Sequence, residues 1–186
     1  MRKLIYAINL TLDGCFDHTN LVAGDDLLDY YTQLVGEAGL LVYGRKTYQL
    51  MVPYWPDVAK DHTGQSRPEI EFAEAFDSVD KVVFSRSLDT IEEKDTRLVR
   101  SDLKGEILRL KHEKGKDILT GGVDIPSQLM ALGLIDEYRF VIQPVVVGKG
   151  RRLLEGIDLR EKLRLKLLES RVFGSGCILL RYVKQS

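Results

Sequence analysis

The sequence predicts an α/β protein with a mostly parallel central sheet, helices on both faces of the sheet and antiparallel strands at one edge. Apolar strand-like stretches alternate with amphipathic helical stretches as far as Leu132, an order typical of parallel strands joined by helices. Beyond Leu132, three β-rich stretches follow one another, as edge strands joined by hairpin-like connections do. The first strand is apolar on both sides, which indicates a central position between two helical layers.

The hydrophobic periodicity also gives the position of each element. Strands are predicted over residues 3–10, 39–43, 81–84, 97–99, 118–119, 137–147, 164–173 and 177–183. Helices are predicted over residues 25–38, 45–51, 69–76, 103–112 and 123–132, with Asp25 or Asp26 capping the first and Asp124 the last. Residues 15–23 are expected to form a polar loop, and residues 158–163 a loop or a short helical turn. Residues 52–68 hold three prolines and are expected to form a lid or a binding loop.

Composition bounds the class of protein and its partners. The 186 residues suit one domain over residues 1–186, and 44% hydrophobic with 30% charged residues is ordinary for a soluble fold. The net charge of −1 provides no field for binding nucleic acid or an anionic membrane.

No apolar run approaches the length of a membrane span, and the start of the chain resembles a strand rather than a signal peptide. We therefore expect a cytoplasmic protein. Its two cysteines, Cys15 and Cys177, suit a reducing compartment, and a disulfide between them stays open.

A glycine pair marks one junction between a strand and a helix. Gly121 and Gly122 lack the Cβ that keeps a ligand away from the backbone. The helix predicted to begin just after them would point free N–H groups and a partial positive charge at this position. The pair therefore suits an anion such as a phosphate, although a plain tight turn accounts for it equally well.

Two further strand ends carry related chemistry, at Gly44-Arg45-Lys46-Thr47 and at Ser85-Arg86. In an open α/β sheet, ligands bind beyond the carboxyl ends of the parallel strands. If the three strands are neighbours, their ends form a row of backbone donors, hydroxyls and guanidinium groups. Such a row suits a long ligand with several phosphates, and an arginine can grip a 2′-phosphate through two hydrogen bonds. The alternative is that each glycine only makes a turn and each arginine is a surface residue.

Five motifs appear in an order and spacing that match a known family. They are Leu12-Asp13-Gly14, Gly44-Arg45-Lys46-Thr47-Tyr48, Val83-Phe84-Ser85-Arg86, Thr120-Gly121-Gly122 and Pro144-Val145-Val146-Val147-Gly148-Lys149-Gly150. In these motifs the chain resembles the dihydrofolate reductase-like superfamily. It is most similar to the reductase domain of the bacterial riboflavin-synthesis deaminase/reductase (the RibD C-terminal domain) and its stand-alone relatives. The resemblance covers about residues 1–183 and implies a three-layer α/β/α fold.

The resemblance also implies NADPH as cofactor and assigns residues to its parts. The adenosine side would be held by Gly44, Arg45, Lys46 and Thr47, and the 2′-phosphate by Ser85 and Arg86. The pyrophosphate would lie on Gly121, Gly122, Val123, Asp124 and Ile125, and the nicotinamide near Ala7, Asp13 and Gly14. Stand-alone relatives are commonly homodimers, so a homodimer is implied as well.

The sequence departs from the family on the substrate side. True dihydrofolate reductases have a Leu-Pro-Trp segment before the first helix, and residues 17–24 contain none. The acidic residue that meets the pterin ring in those enzymes has Asp26 and Asp29 as its nearest equivalents, and Asp29 is the better candidate for a proton donor. An exposed helix position explains Asp29 equally well. No His-x-Glu or Cys-x-x-Cys motif is present, so the deaminase chemistry is absent.

Three aromatic residues, Tyr30, Tyr54 and Trp55, are candidates for stacking on a flat substrate, although ordinary packing explains each of them. The resulting expectation is an NADPH-dependent reductase that transfers a hydride to a small heterocyclic C=N or C=O group, similar to 5-amino-6-(5-phosphoribosylamino)uracil reductase. The alternatives are a non-catalytic NADPH- or nucleotide-binding module and a true dihydrofolate reductase.

Overall fold

The computed structural model describes residues 1–16, 24–93, 95–157, 159 and 162–185. Most of the loop predicted over residues 15–23, and part of the turn predicted over residues 158–163, lie outside the described residues. None of the helices within the described residues is long and apolar enough to cross a membrane.

Within the described residues, eight strands form one sheet in the order β4-β3-β2-β5-β1-β6-β8-β7. The strands are β1 (Leu4–Thr11), β2 (Leu40–Gly44), β3 (Lys81–Phe84), β4 (Thr96–Val99), β5 (Ile118–Thr120), β6 (Glu137–Gln143), β7 (Leu165–Val172) and β8 (Ile178–Lys184). All neighbours from β4 to β6 pair in parallel, and β8 runs antiparallel to both β6 and β7. The predicted mostly parallel sheet with an antiparallel edge is confirmed.

In the part of the chain that the structure describes, six helices cover the two faces of the sheet. They are α1 (Asp25–Glu37), α2 (Arg45–Met51), α3 (Trp55–Lys60), α4 (Arg67–Asp77), α5 (Leu103–His112) and α6 (Asp124–Ala131). Apolar residues of α1 and α4 pack on one face of the sheet, and those of α5 and α6 pack on the other. The predicted three-layer α/β/α arrangement is therefore confirmed.

Strand β1 lies near the middle of the sheet, and its side chains alternate between the two cores. Ile5 and Ala7 face the core formed with α1 and α4, whereas Tyr6 and Ile8 face the core formed with α5 and α6. All four side chains are buried. This double burial is the reason for the apolar pattern on both sides of the strand.

The C-terminal strands differ in one respect from the expected hairpin-like series. Strand β6 pairs in parallel with β1, so only β7 and β8 form a hairpin. The predicted strand over residues 137–147 ends at Gln143, because Pro144 lacks the N–H that would continue the sheet.

A charged cluster at this edge joins β6 to β8. The carboxylate of Glu137 is 1% exposed and accepts hydrogen bonds from Nε of Arg139 and Nε of Arg181, both at 2.7 Å. Arg181 also approaches the exposed carboxylate of Glu169 on β7, at 3.7 Å. The cluster therefore links all three strands of the edge.

Two local predictions need correction. The expected lid over residues 52–68 contains helix α3, because Pro56 lies at the helix start, where its missing N–H costs nothing. Neither Asp25 nor Asp26 caps α1: the N-cap is Gly24, and the carboxylate of Asp26 instead accepts a hydrogen bond from the backbone N–H of Ser175 at 3.2 Å. Asp26 thus fixes α1 to the turn between β7 and β8.

Both cysteines are buried free thiols. Cys15 lies after β1, and Cys177 lies just before β8. The disulfide that the sequence left open is not formed.

Candidate functional site

A cavity of about 520 Å³ opens at the carboxyl ends of the central parallel strands. Strands β3, β2, β5 and β1 are consecutive neighbours, so the three junctions identified in the sequence do lie side by side. Their shared direction follows from the parallel pairing, which places all their carboxyl ends at one edge. Of the residues predicted to bind cofactor, nine line this cavity: Ala7, Gly44, Lys46, Thr47, Gly121, Gly122, Val123, Asp124 and Ile125.

The glycine pair after β5 allows three backbone segments to come close together. At Gly121, a Cβ would lie 3.5 Å from the Tyr43 ring and 3.6 Å from the carbonyl oxygen of Ala7. Gly122 has φ +78°, and a Cβ there would lie 2.0 Å from Oγ1 of Thr47. The carbonyl of Gly122 accepts a hydrogen bond from the Tyr6 hydroxyl at 2.8 Å. The pair is therefore held in a defined conformation that a side chain would disturb.

The starts of helices α2 and α6 meet beside this pair. Gly44 is the N-cap of α2, and a Cβ on it would lie 3.0 Å from Cγ1 of Ile125 in the first turn of α6. The first amide of α6 with an acceptor inside the helix is that of Ser127, which bonds to the carbonyl of Val123. The amides of Asp124 and Ile125 precede it, so they have no acceptor within the helix. Asp124 is the first helical residue and makes no side-chain cap, contrary to the prediction.

Two cations flank the same helix start. Nζ of Lys46 lies 3.8 Å from one carboxylate oxygen of Asp124, and a guanidinium nitrogen of Arg151 lies 3.9 Å from the other. The guanidinium of Arg151 also lies over the Phe16 ring, 5.3 Å from its centroid. All three charged side chains are more than half exposed. These contacts are long and solvated, so an anionic ligand can replace the carboxylate as partner of either cation.

On the other face of the sheet, the cavity continues into an apolar chamber under helix α1. Its walls are formed by Leu28, Val35, Leu50, Met51, Trp55, Phe72 and Leu119. The polar side chains of Asn9 on β1, Tyr31 on α1 and Tyr43 on β2 line this chamber, and the Tyr31 hydroxyl donates to Oδ1 of Asn9 at 3.1 Å. Burial raises the pKa of the Tyr31 phenol well above its usual value, so the hydroxyl keeps its proton.

Asp13 and Gly14, predicted to lie near the nicotinamide, are outside the cavity lining. The carboxylate of Asp13 accepts hydrogen bonds from the Thr11 hydroxyl at 2.7 Å and from the backbone of Gly148 at 3.0 Å. The Thr11 hydrogen bond lowers the pKa of this carboxyl, as do the backbone bonds from Val147 and Gly148. Gly14 has φ +81° in the turn after β1. Both residues thus join the end of β1 to the loop that follows β6.

The arginines predicted to bind the adenosine end lie beside the cavity rather than in its lining. Arg86 is exposed just beyond β3, and Arg45 is exposed on α2, where it donates to Gln49 at 3.2 Å. The hydroxyl of Ser85 accepts from the backbone N–H groups of Ser87 and Leu88, so it stabilises the turn that presents Arg86. These residues are adjacent to the α2 start because β3 pairs directly with β2.

Of the residues predicted to meet the substrate, Trp55 lines the chamber. Its ring packs against Phe72 with centroids 4.5 Å apart. Tyr54 is 47% exposed and touches the outer edge of Trp55, while Tyr30 is buried in the core between Tyr31 and Phe173. Asp29 is exposed on α1 and does not line the cavity, because the face of α1 that does so carries Leu28, Tyr31 and Val35.

Asn9, Tyr31 and Arg151 are polar residues of the cavity that belong to no predicted site. Arg151 directly follows the motif that ends at Gly150, so its position in the sequence was a usable signal. Asn9 interrupts an apolar strand, and a polar residue inside a central strand requires a partner. Tyr31 offers no such signal, because it has the spacing of an ordinary core residue.

Comparisons with known proteins agree with this geometry. Residues 2–179 match the family model of the RibD C-terminal domain. The uncharacterized protein YyaP of Bacillus subtilis (strain 168) is 31% identical over 185 residues, which cover 97% of this chain and 94% of YyaP.

Two solved structures show that the fold is shared at low identity. RibD of Acinetobacter baumannii superposes with a TM-score of 0.68 at 17% identity, over all of this chain and 59% of RibD. Dihydrofolate reductase of Enterococcus faecalis, solved with NADP(H), superposes with a TM-score of 0.66 at 13% identity, over 99% of this chain and 97% of that one. The chain belongs to the RibD C-terminal domain family and has a dihydrofolate reductase-like fold.

Proposed function

We propose that this protein is an NADPH-dependent reductase that transfers a hydride to a C=N or C=O group of a small cyclic substrate. The observation that carries the proposal is the continuity of the cavity. It begins where the starts of α2 and α6 meet at Gly44 and Gly122, and it ends in the apolar chamber under α1. A dinucleotide needs the first part for its phosphates, and a flat substrate ring needs the second. Membership of the RibD C-terminal domain family supports a reductase-like function.

The residues at the helix starts fit the phosphates of NADPH. The glycine pair leaves space that a Cβ would fill, and the amides of Asp124 and Ile125 precede the first intrahelical donor. Lys46 and Arg151 add positive charge at the same point. We assign Gly121, Gly122 and the first turn of α6 to the pyrophosphate, residues 44–47 to the adenosine side, and Arg86 to the 2′-phosphate.

The chamber supplies alignment and a dry environment for the reaction. NADPH, when bound, supplies the hydride. Ala7 of β1 lines the cavity with a small side chain, which leaves room for a flat ring against the strand. The apolar walls exclude water, which strengthens any hydrogen bond to the reacting group.

Replacing Arg86 with alanine tests the assignment of the 2′-phosphate. We expect NADPH to bind more weakly by about 1–3 kcal/mol, the range for a charge-assisted hydrogen bond. Binding of NADH, which lacks the 2′-phosphate, should hardly change. Isothermal titration of both nucleotides against both proteins measures this difference. Arg67→Ala, which removes an exposed arginine paired with Glu71 at the start of α4, is the control and should alter neither affinity. Equal affinities of the unchanged protein for NADPH and NADH would remove the proposed role of Arg86, and no binding of either would reject the proposed function.

The alternative function is binding of NADPH or another nucleotide without turnover. It uses the same cavity, so a titration does not separate it from a reductase. Oxidation of NADPH in the presence of dihydrofolate, riboflavin-pathway pyrimidines and small carbonyl compounds does separate them. Turnover of dihydrofolate would favour a true dihydrofolate reductase. The exposed position of Asp29, outside the chamber, speaks against that outcome.

The outer β-hairpin supports the further proposal of a homodimer. On one face of β7 and β8, Val172 is 73% exposed and pairs with Ile178, which is 38% exposed, and Leu167 on the same face is 48% exposed. An exposed apolar surface on a sheet edge is typical of an interface between proteins.

Val172→Asp is expected to convert this dimer into monomers, because a carboxylate buried at the centre of an apolar interface lacks a partner. Sedimentation velocity at micromolar concentration measures the change in mass. Leu132→Asp adds the same charge at an exposed apolar residue outside the hairpin and should leave the dimer intact. A monomeric unchanged protein would contradict the proposal.

A further inference from the structure

Four polar side chains from separate parts of the chain form one hydrogen-bonded network that ends in the chamber. The thiol of Cys177 donates to Oε1 of Gln143 at 3.2 Å, and Nε2 of Gln143 donates to Oδ1 of Asn9 at 3.4 Å. The Tyr31 hydroxyl donates to the same Oδ1 at 3.1 Å. Cys177 and Gln143 are completely buried, whereas Asn9 and Tyr31 reach the cavity.

These contacts orient the amide of Asn9. The Tyr31 hydroxyl and Nε2 of Gln143 both donate to Oδ1 of Asn9, so the carbonyl side of the amide faces these two residues. The NH₂ group of Asn9 is then the remaining polar group of a side chain that lines the cavity. No described residue accepts a hydrogen bond from it. Asn9 therefore presents two N–H donors rather than an acceptor.

The charges of the cavity lining around Asn9 also disfavour a ligand that donates hydrogen bonds. Of the described residues that line the cavity, Asp124 is the one carboxylate, and it belongs to α6 on the opposite face of the sheet from α1. The chamber itself contains apolar walls, the phenols of Tyr31 and Tyr43, whose pKa values burial raises, and the amide of Asn9. Such a chamber does not stabilise a cationic or amidine-like ring, which needs a carboxylate to accept its N–H groups.

We propose that Asn9 is the specificity-determining residue of the site and that the substrate class is a neutral, largely apolar cyclic carbonyl compound. The proposal rests on the proposed function. The Nδ2 group of Asn9 donates to the carbonyl oxygen, on which negative charge develops during reduction. In the overall change, the carbonyl carbon gains the hydride of NADPH, the electron pair of the C=O π bond goes to oxygen, and oxygen takes a proton from water. Tyr31 and Gln143 are positioning residues that hold the amide in this orientation.

Binding of two bicyclic probes of similar size tests the proposal without any turnover. 1-Tetralone presents a carbonyl acceptor, and 2,4-diaminoquinazoline presents an amidine with N–H donors. Isothermal titration with and without NADP⁺ measures the affinity for each probe. The unchanged protein should prefer 1-tetralone. Asn9→Asp should weaken 1-tetralone about tenfold and strengthen 2,4-diaminoquinazoline about tenfold, because the carboxylate exchanges donors for acceptors at the same place.

Three further variants separate recognition from folding. Asn9→Leu should lose affinity for 1-tetralone without gaining any for the diamine. Tyr31→Phe should reduce the preference partly, because the amide then loses one of its two fixed contacts. Gln33→Glu makes the same amide-to-carboxylate change at an exposed position of α1 and should change nothing. Thermal unfolding of each variant confirms that it is folded.

The proposal is overturned if the unchanged protein prefers the diamine or binds neither probe. It is also overturned if folded Asn9→Asp and Asn9→Leu variants keep the original preference. Loss of NADPH binding in the separate nucleotide titration would instead reject the reductase function, and the measured preference between the probes would still stand.

Discussion

A Gly122→Ala variant is expected to bind NADPH about 30-fold more weakly than the unchanged protein, which corresponds to ~2 kcal/mol. Its free energy of unfolding should fall by a similar amount. Two effects add at this position. The residue has φ +78°, a conformation that costs a residue with a Cβ about 1–2 kcal/mol. The new methyl group would also meet Thr47, whose Oγ1 lies 2.0 Å and whose Cβ lies 3.2 Å from the position of the added carbon.

The two effects can be separated by matched variants. Gly64 has φ +77° with no atom within 4 Å of an added Cβ, so Gly64→Ala carries the backbone strain alone. We expect it to lower stability by about 1 kcal/mol and to leave NADPH binding unchanged. Adding Thr47→Ala to Gly122→Ala removes the Oγ1 contact and should restore part of the stability. Chemical denaturation and nucleotide titration measure both quantities, and normal NADPH affinity in a folded Gly122→Ala variant would contradict the assigned pyrophosphate site.

Removal of the Glu137 carboxylate is expected to produce the largest loss of stability, about 3 kcal/mol for Glu137→Ala. Glu137 is 1% exposed, and its removal leaves the guanidinium groups of Arg139 and Arg181 without their shared acceptor. The side chain of Arg139 is itself 12% exposed. The cost is at the low end of the range for broken buried pairs, because Arg181 is 31% exposed and retains contact with Glu169. Glu169→Gln removes the exposed partner of the same arginine and should cost less than about 0.5 kcal/mol.

The same residue gives the stability a defined dependence on pH. Burial opposes ionisation of Glu137, but hydrogen bonds from Arg181 and Arg139 outweigh it and hold its pKa below the usual value. A carboxyl with a lowered pKa in the folded state contributes stability that is complete above its unfolded pKa and is lost as the pH falls through the folded value. The stability difference between the unchanged protein and Glu137→Gln should therefore be constant above about pH 4.5 and should shrink below it. Urea denaturation across this range measures the difference, and a gap that stayed constant to pH 2 would exclude Glu137 as its source.

The sequence predicts elements well where local rules determine them. The bounds of α2 and α5 agree with the predicted ranges, because a glycine precedes α2 and an amphipathic period defines α5. The shared chemistry of the junctions after β2, β3 and β5 required these strands to be neighbours, which the sequence alone left as a condition and the sheet order meets. Helix α3 was missed because the three prolines of residues 52–68 resembled loop residues, although Pro56 lies where a helix tolerates it.

The substrate side of the cavity was not predictable in the same way. The contact between Asn9 and Tyr31 depends on the packing of α1 over β1, and the contact between Asn9 and Gln143 depends on parallel pairing of β1 with β6. Neither arrangement follows from a local pattern. Asp29 was favoured because the resemblance called for an acidic residue on this helix, but helix geometry directs Tyr31, two positions later, towards the chamber.

The position of β5 has a consequence for how the chain acquires its structure during synthesis. Strands β1 and β2 are made early but do not touch each other, since β5 lies between them. Until Ile118–Thr120 leaves the ribosome, both strands carry an unpaired edge in the middle of the future sheet. Pairing of these three residues joins the two halves of the sheet, and the glycine pair that follows immediately completes the helix-start end of the cavity. The nascent chain therefore cannot complete the proposed nucleotide site before β5 has paired with both β1 and β2.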